Sequence, residues 1–164
     1  MLPGDDGMWY EGKPARDVVI RDNTFIDVDL GRIGPAIGIA AMKKSNGDPG
    51  SRYHHGNIAV LDNHFTLLNS LMVEATSVDG LLLRGNTLAQ SKNFPAAAAS
   101  PEYSLEHVRC VRFIGKDTTL KADDISQKDA QLIAVEALPD ISAKPETWQA
   151  GCSQFTQKWS SLKP

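Results

Sequence analysis

The sequence lacks most of the features that announce a common function class. Its 164 residues include only two cysteines, Cys110 and Cys152, and neither sits in a CxxC or Cys/His spacing. Both are expected to behave as free thiols, which act as small hydrophobes; spacing alone does not decide whether they pair. Positive charge is not in excess, with 17 Lys and Arg against 20 Asp and Glu and a net charge of -3. A nucleic-acid partner, which calls for a basic face or stripe, is therefore not expected. No apolar run approaches the roughly 20 residues that span a bilayer, so no membrane segment is expected. The opening "MLPGDDGMWYEG" has neither a basic n-region nor an apolar h-region, and so does not read as a signal peptide. There is no Gly-rich phosphate loop and no Ser/His/Asp pattern at an informative spacing, and no cofactor is expected. What remains, 41% hydrophobic and 23% charged, is the composition of one soluble domain with a real core.

What is present is a repeat. "VVIRDNTF" (18–25) returns as "IAVLDNHF" (58–65) and as "LLLRGNTL" (81–88). Aligned, Val18, Ile58 and Leu81 fall together, then Ile20, Val60 and Leu83, then Asn23, Asn63 and Asn86. The apolar positions alternate, which is the period of a strand with one buried face. Val19, Ala59 and Leu82 would then face outward. A fourth, weaker copy is "VRFIGKDT" (111–118), with Val111 and Phe113 in the apolar places and Lys116 in place of the Asn. "AIGIAA" (36–41) and "LMVEA" (71–75) supply a second strand to each turn of the chain.

The asparagines are separated by 40 and then 23 residues, too uneven for a propeller or a helical repeat. A parallel β-solenoid tolerates this, because insertions such as 42–56 and 89–107 bulge out at the corners. An antiparallel sandwich would want tight hairpin signals between the copies, and none are found. The expected fold is all-β, a partial right-handed parallel β-helix over residues 17–122 preceded by a lead-in loop over 1–16. Asn23, Asn63 and Asn86 are expected at one corner, in the left-handed conformation that Asn tolerates, with their amides bonded coil to coil. Residues 123–164 are expected to be an irregular or short helical C-terminal cap, or a mobile tail. Within them 124–138 reads either as a short helix, from its Ala, Gln, Leu and Glu, or as a last irregular coil. An open first coil would leave strand edges unpaired, and self-association through that end is expected.

"MWYEGKPARDVVIRDNTFIDV" (8–28), "AIGIA" (36–40), "YHHGNIAVLDNHF" (53–65) and "SVDGLLLRGNTL" (77–88) together resemble the C-terminal coils of bacterial α-1,3-galactosidases, which are β-helical glycoside hydrolases. The resemblance covers roughly residues 8–116. It implies a carbohydrate ligand, a secreted or periplasmic location, and catalytic carboxylates on coils that precede those seen here. The pair Asp5-Asp6 is not followed by the Asn and His that accompany the family's catalytic pair, so no catalytic role is carried over to it. The function expected is that of a C-terminal part of such an enzyme. A non-catalytic polysaccharide-binding or structural segment, or a relative of polysaccharide lyases or epimerases, are the alternatives.

Substrate contact is expected from Asp6, Trp9, Tyr10 and Glu11, where carboxylates stand beside aromatics able to stack on a sugar, and from His54. His54 and His55 are adjacent on an extended segment and point to opposite faces, so they do not share a metal ion. His64 is expected on the outer surface, beside the asparagines. Asp27 and Asp29 read as a solvated turn rather than a calcium site.

Overall fold

A computed structural model of the chain describes residues 2–5, 14–28, 34–42, 53–95, 100–114, 122–135 and 145–162. Its strands are β1 (Leu2–Asp5), β2 (Arg16–Arg21), β3 (Thr24–Ile26), β4 (Ile37–Met42), β5 (His55–Leu61), β6 (His64–Leu67), β7 (Val73–Arg84), β8 (Thr87–Gln90), β9 (Tyr103–Ile114) and β10 (Ile125–Val135). One helix, α1 (Pro145–Ser160), follows them.

Every strand pairing among the described residues is parallel, and the pairings fall into three columns. The first runs from β1 through β4 and the opening residues of β7 and β9 to β10, with Ile37 opposite Val73, Val73 opposite Tyr103 and Tyr103 opposite Ile125. The second carries the repeat itself: Val18 lies opposite Ile58, Ile58 opposite Leu81 and Leu81 opposite Val111. The third holds the residues after the asparagines, Phe25 opposite Phe65 and Phe65 opposite Leu88. Strands β7, β9 and β10 belong to both of the first two columns, β10 reaching the second with Leu132 opposite Val111. β7 and β9 turn between the columns at Ser77 and His107, whose φ values of 60° and 51° are left-handed.

The alternation of apolar residues decides what lies inside. Ile37, Ile39, Ile58, Val60, Phe65, Val73, Ala75, Leu81, Leu83, Leu105, Val111 and Phe113 form one buried cluster fed by all three columns. Phe25 and Phe65 stack with ring centroids 4.8 Å apart, repeating the register of their strands in their side chains. Buried Asn63 extends the same logic to polar groups. Asn23 Nδ2 donates to Asn63 Oδ1 at 3.1 Å, and Asn63 Nδ2 donates to Asn86 Oδ1 at 3.1 Å. The Asn63 and Asn86 amides also donate to the carbonyls of Ile20 (3.0 Å) and Val60 (2.9 Å).

Several expectations are corrected. The left-handed residues at this corner are Asp22 (φ 57°), Asp62 (φ 51°) and Gly85 (φ 62°), one place before each asparagine. The asparagines do not take that conformation; their amides turn to the neighbouring strand segment and its carbonyls. Of the two readings of 124–138 only the helix is overturned: residues 125–135 are a further strand with shifts of register, because β10 takes the free edge of β9 (Ile125 opposite Tyr103, Val135 opposite Phe113), and a sheet edge outweighs a modest helix propensity. Parallel pairing therefore continues past residue 122. The segment 89–107 is not all insertion, since its last residues open β9. The cysteines are not free: Cys110 and Cys152 form a disulfide, with Cα atoms 5.5 Å apart. Helix α1 does not lie over an end of the stack. It lies on the outward face of the second column, where Ala59, Leu61, Leu82 and Cys110 are buried against Cys152, Phe155 and Trp159. That cover is why outward-facing Ala59 and Leu82 are 2% and 1% exposed while Val19, in the same row, is 43% exposed.

Candidate functional site

The residues expected to touch substrate separate into two groups. Asp6, Trp9, Tyr10 and Glu11 lie outside the described residues, as does Asp29. His54 is described and stands just before β5, at the turn between the first two columns. Because His55 lies opposite Val78 and Val78 opposite Val108, the residues preceding them, His54, Ser77 and His107, occupy equivalent places on successive strands. The His54 N–H donates to Ser77 Oγ at 3.0 Å, and its carbonyl accepts from Arg16 Nη2 at 3.4 Å.

The neighbouring histidine has a different role. His55 is 0% exposed. Its Nδ1 accepts from the Ala15 N–H at 3.2 Å, which places the ring proton on Nε2, and Nε2 donates to the Ala40 carbonyl at 3.0 Å. Burial holds its pKa below the ordinary value, against the Ala40 bond, with His54 and Arg16 adding to the depression. A neutral ring spent on two backbone bonds is a brace between the segments that carry Ala15 and Ala40. The two rings meet edge-on, centroids 4.8 Å apart.

Around His54 the fold assembles an aromatic and ionic strip. Tyr53 reaches past small Ser77 to stack on His107, with centroids 4.6 Å apart and planes 13° from parallel. The Arg109 guanidinium carbon lies 4.7 Å from the centre of the Tyr53 ring, a cation–π contact. Arg109 also grips Asp79 with both arms of its fork, Nε to Oδ1 at 2.8 Å and Nη2 to Oδ2 at 2.7 Å. Those bonds raise the Arg109 pKa further and engage both oxygens of Asp79. The row continues along the register, Arg109 opposite Asp79, Asp79 opposite Gly56, Gly56 opposite Arg16. Glycine at 56 admits the Arg16 side chain, since a Cβ there would stand 2.7 Å from Arg16 Nη1. Tyr53, Asp79, His107 and Arg109 were not singled out by sequence reasoning. The signal was available in the strand alignment, which stacks the residues just before Ile58, Leu81 and Val111.

Elsewhere, exposed His64 pairs its Nδ1 with Thr87 Oγ1 at 2.8 Å. Asn93 donates to Asp27 Oδ2 at 2.6 Å, and Ser91 and Asn93 together hold the Asp27 carboxyl below its ordinary range. Among the described residues no group of three or more His, Cys, Asp or Glu is placed to hold a metal ion. Glu102 is half-buried, and burial with the nearby charge of Asp124 raises its pKa. Burial, with Glu102 beside it, likewise pushes the Tyr103 hydroxyl up, against the hydrogen bond it shares with Asn86. No helix among the described residues is long and apolar enough to cross a membrane.

No family model and no solved structure matches the chain. Curated relatives do. A protein named Alpha-1,3-galactosidase A from Bacteroides fragilis (strain YCH46) is 34% identical over 124 residues, 75% of this chain and 20% of the relative. Alpha-1,3-galactosidase B from Parabacteroides distasonis is 33% identical over 98 residues, 58% of this chain and 16% of the relative. Alpha-1,3-galactosidase A from Bacteroides thetaiotaomicron is 35% identical over 91 residues, 51% of this chain and 14% of the relative. The chain spans about a fifth or less of the length of these relatives. Over most of its own length it is therefore similar, at a distance, to proteins named alpha-1,3-galactosidase.

Proposed function

We propose that this chain forms part of a carbohydrate-active, right-handed parallel β-helix of the α-1,3-galactosidase kind, and that the catalytic carboxylate pair is not among its residues. The observation that carries the reading is the similarity of up to 75% of the chain to proteins with that name. The three parallel columns support the β-helical form. Successive strands step from one column to the next around a shared core, and right-handed crossovers are the rule for parallel strands. An exported location belongs to the same reading. The Cys110–Cys152 disulfide supports it, since such bonds persist in oxidising compartments.

Within this reading the strip of Tyr53, His54, Asp79, His107 and Arg109 is the surface for a galactoside. Aromatic rings meet the C–H face of a sugar, and a fixed ion pair offers donors and an acceptor to its hydroxyls. The strip also favours a second reading, a non-catalytic polysaccharide-binding segment. Hydrolysis needs one carboxyl that gives up a proton. Asp79 is acceptor-only, with both oxygens engaged by Arg109.

The test has two arms. The chain is titrated with an α-1,3-linked galactose disaccharide while the ring signals of Tyr53, His54 and His107 are followed by NMR, and it is separately incubated with 4-nitrophenyl α-galactoside. The expected result is a saturable shift of those signals and no release of nitrophenol. Absence of any shift overturns the sugar surface. Turnover by this chain alone overturns the view that the carboxylate pair lies elsewhere.

A further inference from the structure

The second column carries a feature that neither the repeat nor the sugar reading uses. The residue before each inward aliphatic is left-handed on four successive strands: Asp17 (φ 56°), Asn57 (φ 52°), Gly80 (φ 85°) and Cys110 (φ 55°). The pairing steps over each of them without a change of register, so that Arg16 lies opposite Gly56 and Val18 opposite Ile58, with Asp17 and Asn57 unmatched. Helix α1 meets every one of these four residues. Cys152 is bonded to Cys110. The Phe155 ring lies on Gly80, where a Cβ would stand 2.6 Å from it. Trp159 Nε1 donates to Asn57 Oδ1 at 2.9 Å, and Lys158 Nζ to Asp17 Oδ1 at 2.7 Å. The match is metric. Cys152, Phe155 and Trp159 stand three and four residues apart, a rise of about 4.5–6 Å per step, close to the ~4.8 Å between neighbouring strands, so they answer three strands in turn, and the long Lys158 side chain reaches the fourth.

The attachment is also separable from the rest of the fold. Cys152, Phe155 and Trp159 pack with Ala59, Leu61, Leu82 and Cys110 in a cluster of their own, distinct from the core shared by the three columns. Beyond the disulfide, the seat among the described residues includes two aromatic side chains with Ile114 and Leu162 packed beside them, polar bonds to Asp17 and Asn57, and the Leu162 carbonyl held by Arg84 at 2.6 Å. A 16-residue helix is marginal in water by itself.

We propose that α1 is a redox-locked strap: the Cys110–Cys152 bond keeps it seated on the left-handed row, and reduction releases it as a unit while the parallel columns stay folded. In that step two electrons and two protons pass from a dithiol to the two sulfurs. The S–S bond breaks, Cys110 and Cys152 each become a thiol, and the dithiol closes to its own disulfide. Release uncovers Ala59, Leu61 and Leu82 beside Val19, which is already exposed, and so joins them into one apolar outer face.

The test is amide hydrogen exchange, peptide by peptide, on the full chain with and without excess dithiothreitol. On reduction the amides of 146–160 are expected to exchange on the order of 100-fold faster or more, the scale set by losing a crosslink that closes a loop of 42 residues. Those of 55–61 and 73–84 are expected to change by less than about threefold, as a local opening requires. Unchanged exchange in 146–160 overturns the proposal, because the seat then holds without the lock. Acceleration of the whole chain together overturns it too, because the disulfide then secures the fold and not the strap. The double variant C110G/C152S, with glycine at 110 as at the equivalent Gly80, is expected to match the reduced protein. Should it fail to fold, reduction of the folded chain still decides.

Discussion

Asn63 is the residue whose loss the fold should feel most. It is 0% exposed, and its side chain takes part in four hydrogen bonds. Oδ1 accepts from the Asn23 backbone N–H at 3.0 Å and from Asn23 Nδ2 at 3.1 Å. Nδ2 donates to the Ile20 carbonyl at 3.0 Å and to Asn86 Oδ1 at 3.1 Å. Asn63→Ala removes all four, at about 1 kcal/mol each. The Asn23 groups sit at the exposed end of the row and can rehydrate. That lowers the expected cost to about 3 kcal/mol. With a urea slope of about 2 kcal/mol/M, the unfolding midpoint falls by about 1.5 M. Asn23→Ala provides the comparison: it loses the bonds of one exposed amide to the Arg21 carbonyl and to Asn63, and is expected to cost about 1 kcal/mol. Asn63→Asp keeps an acceptor for Asn23 but turns an oxygen toward the Ile20 carbonyl and Asn86 Oδ1, and is expected to be no milder than alanine. Urea titrations followed by far-UV circular dichroism under oxidising conditions give all three values. If Asn63→Ala proves no more costly than Asn23→Ala, the interior amide is not holding neighbouring strands together and the reasoning is wrong.

Other predictions concern the helix seat, acid, and association. Gly80→Ala must adopt φ +85° and place a methyl against the Phe155 ring. It is expected to lose about 1–2 kcal/mol for the backbone and about 1–3 kcal/mol for the overlap, with a red shift of tryptophan fluorescence as Trp159 becomes wet. His55 has a folded pKa below its ordinary value. As pH falls below about 6.5, the unfolded chain therefore takes up a proton that the folded ring refuses, and stability declines until the folded ring's own lower pKa is reached. Urea midpoints measured from pH 7.5 down to 5.5 should fall for the wild type and fall less for His55→Gln; equal slopes would remove His55 from the explanation. Among the described residues β2 and β3 each have one strand neighbour, and Val19 and Ile26 are exposed beside those edges. Light scattering is expected to show dimers or larger species, and a clean monomer at all concentrations would contradict an open edge.

The repeat made four strands of one column legible. Val18, Ile58, Leu81 and Val111 align by sequence and are register partners in space, because a period of two with one buried face leaves little choice of register. The rest was hidden for identifiable reasons. Strand β10 has local helix propensity and becomes strand only because the edge of β9 is there to be taken. The left-handed place falls on Asp22 and Asp62, while the asparagines after them spend their amides on the carbonyls of the adjoining strands. Cys110 and Cys152 are 42 residues apart in sequence, and nothing local says that a helix will cross the column at the height of Cys110. Tyr53 and His107 meet across an intervening strand, a contact visible only once Ser77 is seen between them. His54 stands at the turn between the first two columns, and His55 beside it is a buried brace, a difference that the pair's adjacency in sequence does not show.

The stacking of equivalent residues in one direction underlies all of this, and it can be measured in solution. Thr24 and Thr87 occupy the same register position two strands apart, with His64 between them. Spin labels at the two threonines should stand about 10 Å apart, twice the ~4.8 Å strand spacing, and give strong dipolar broadening in continuous-wave EPR spectra. Spectra that match the sum of the two singly labelled proteins would place the labels beyond about 20 Å, farther than two ~4.8 Å strand steps can reach, and would contradict the stacked, parallel arrangement.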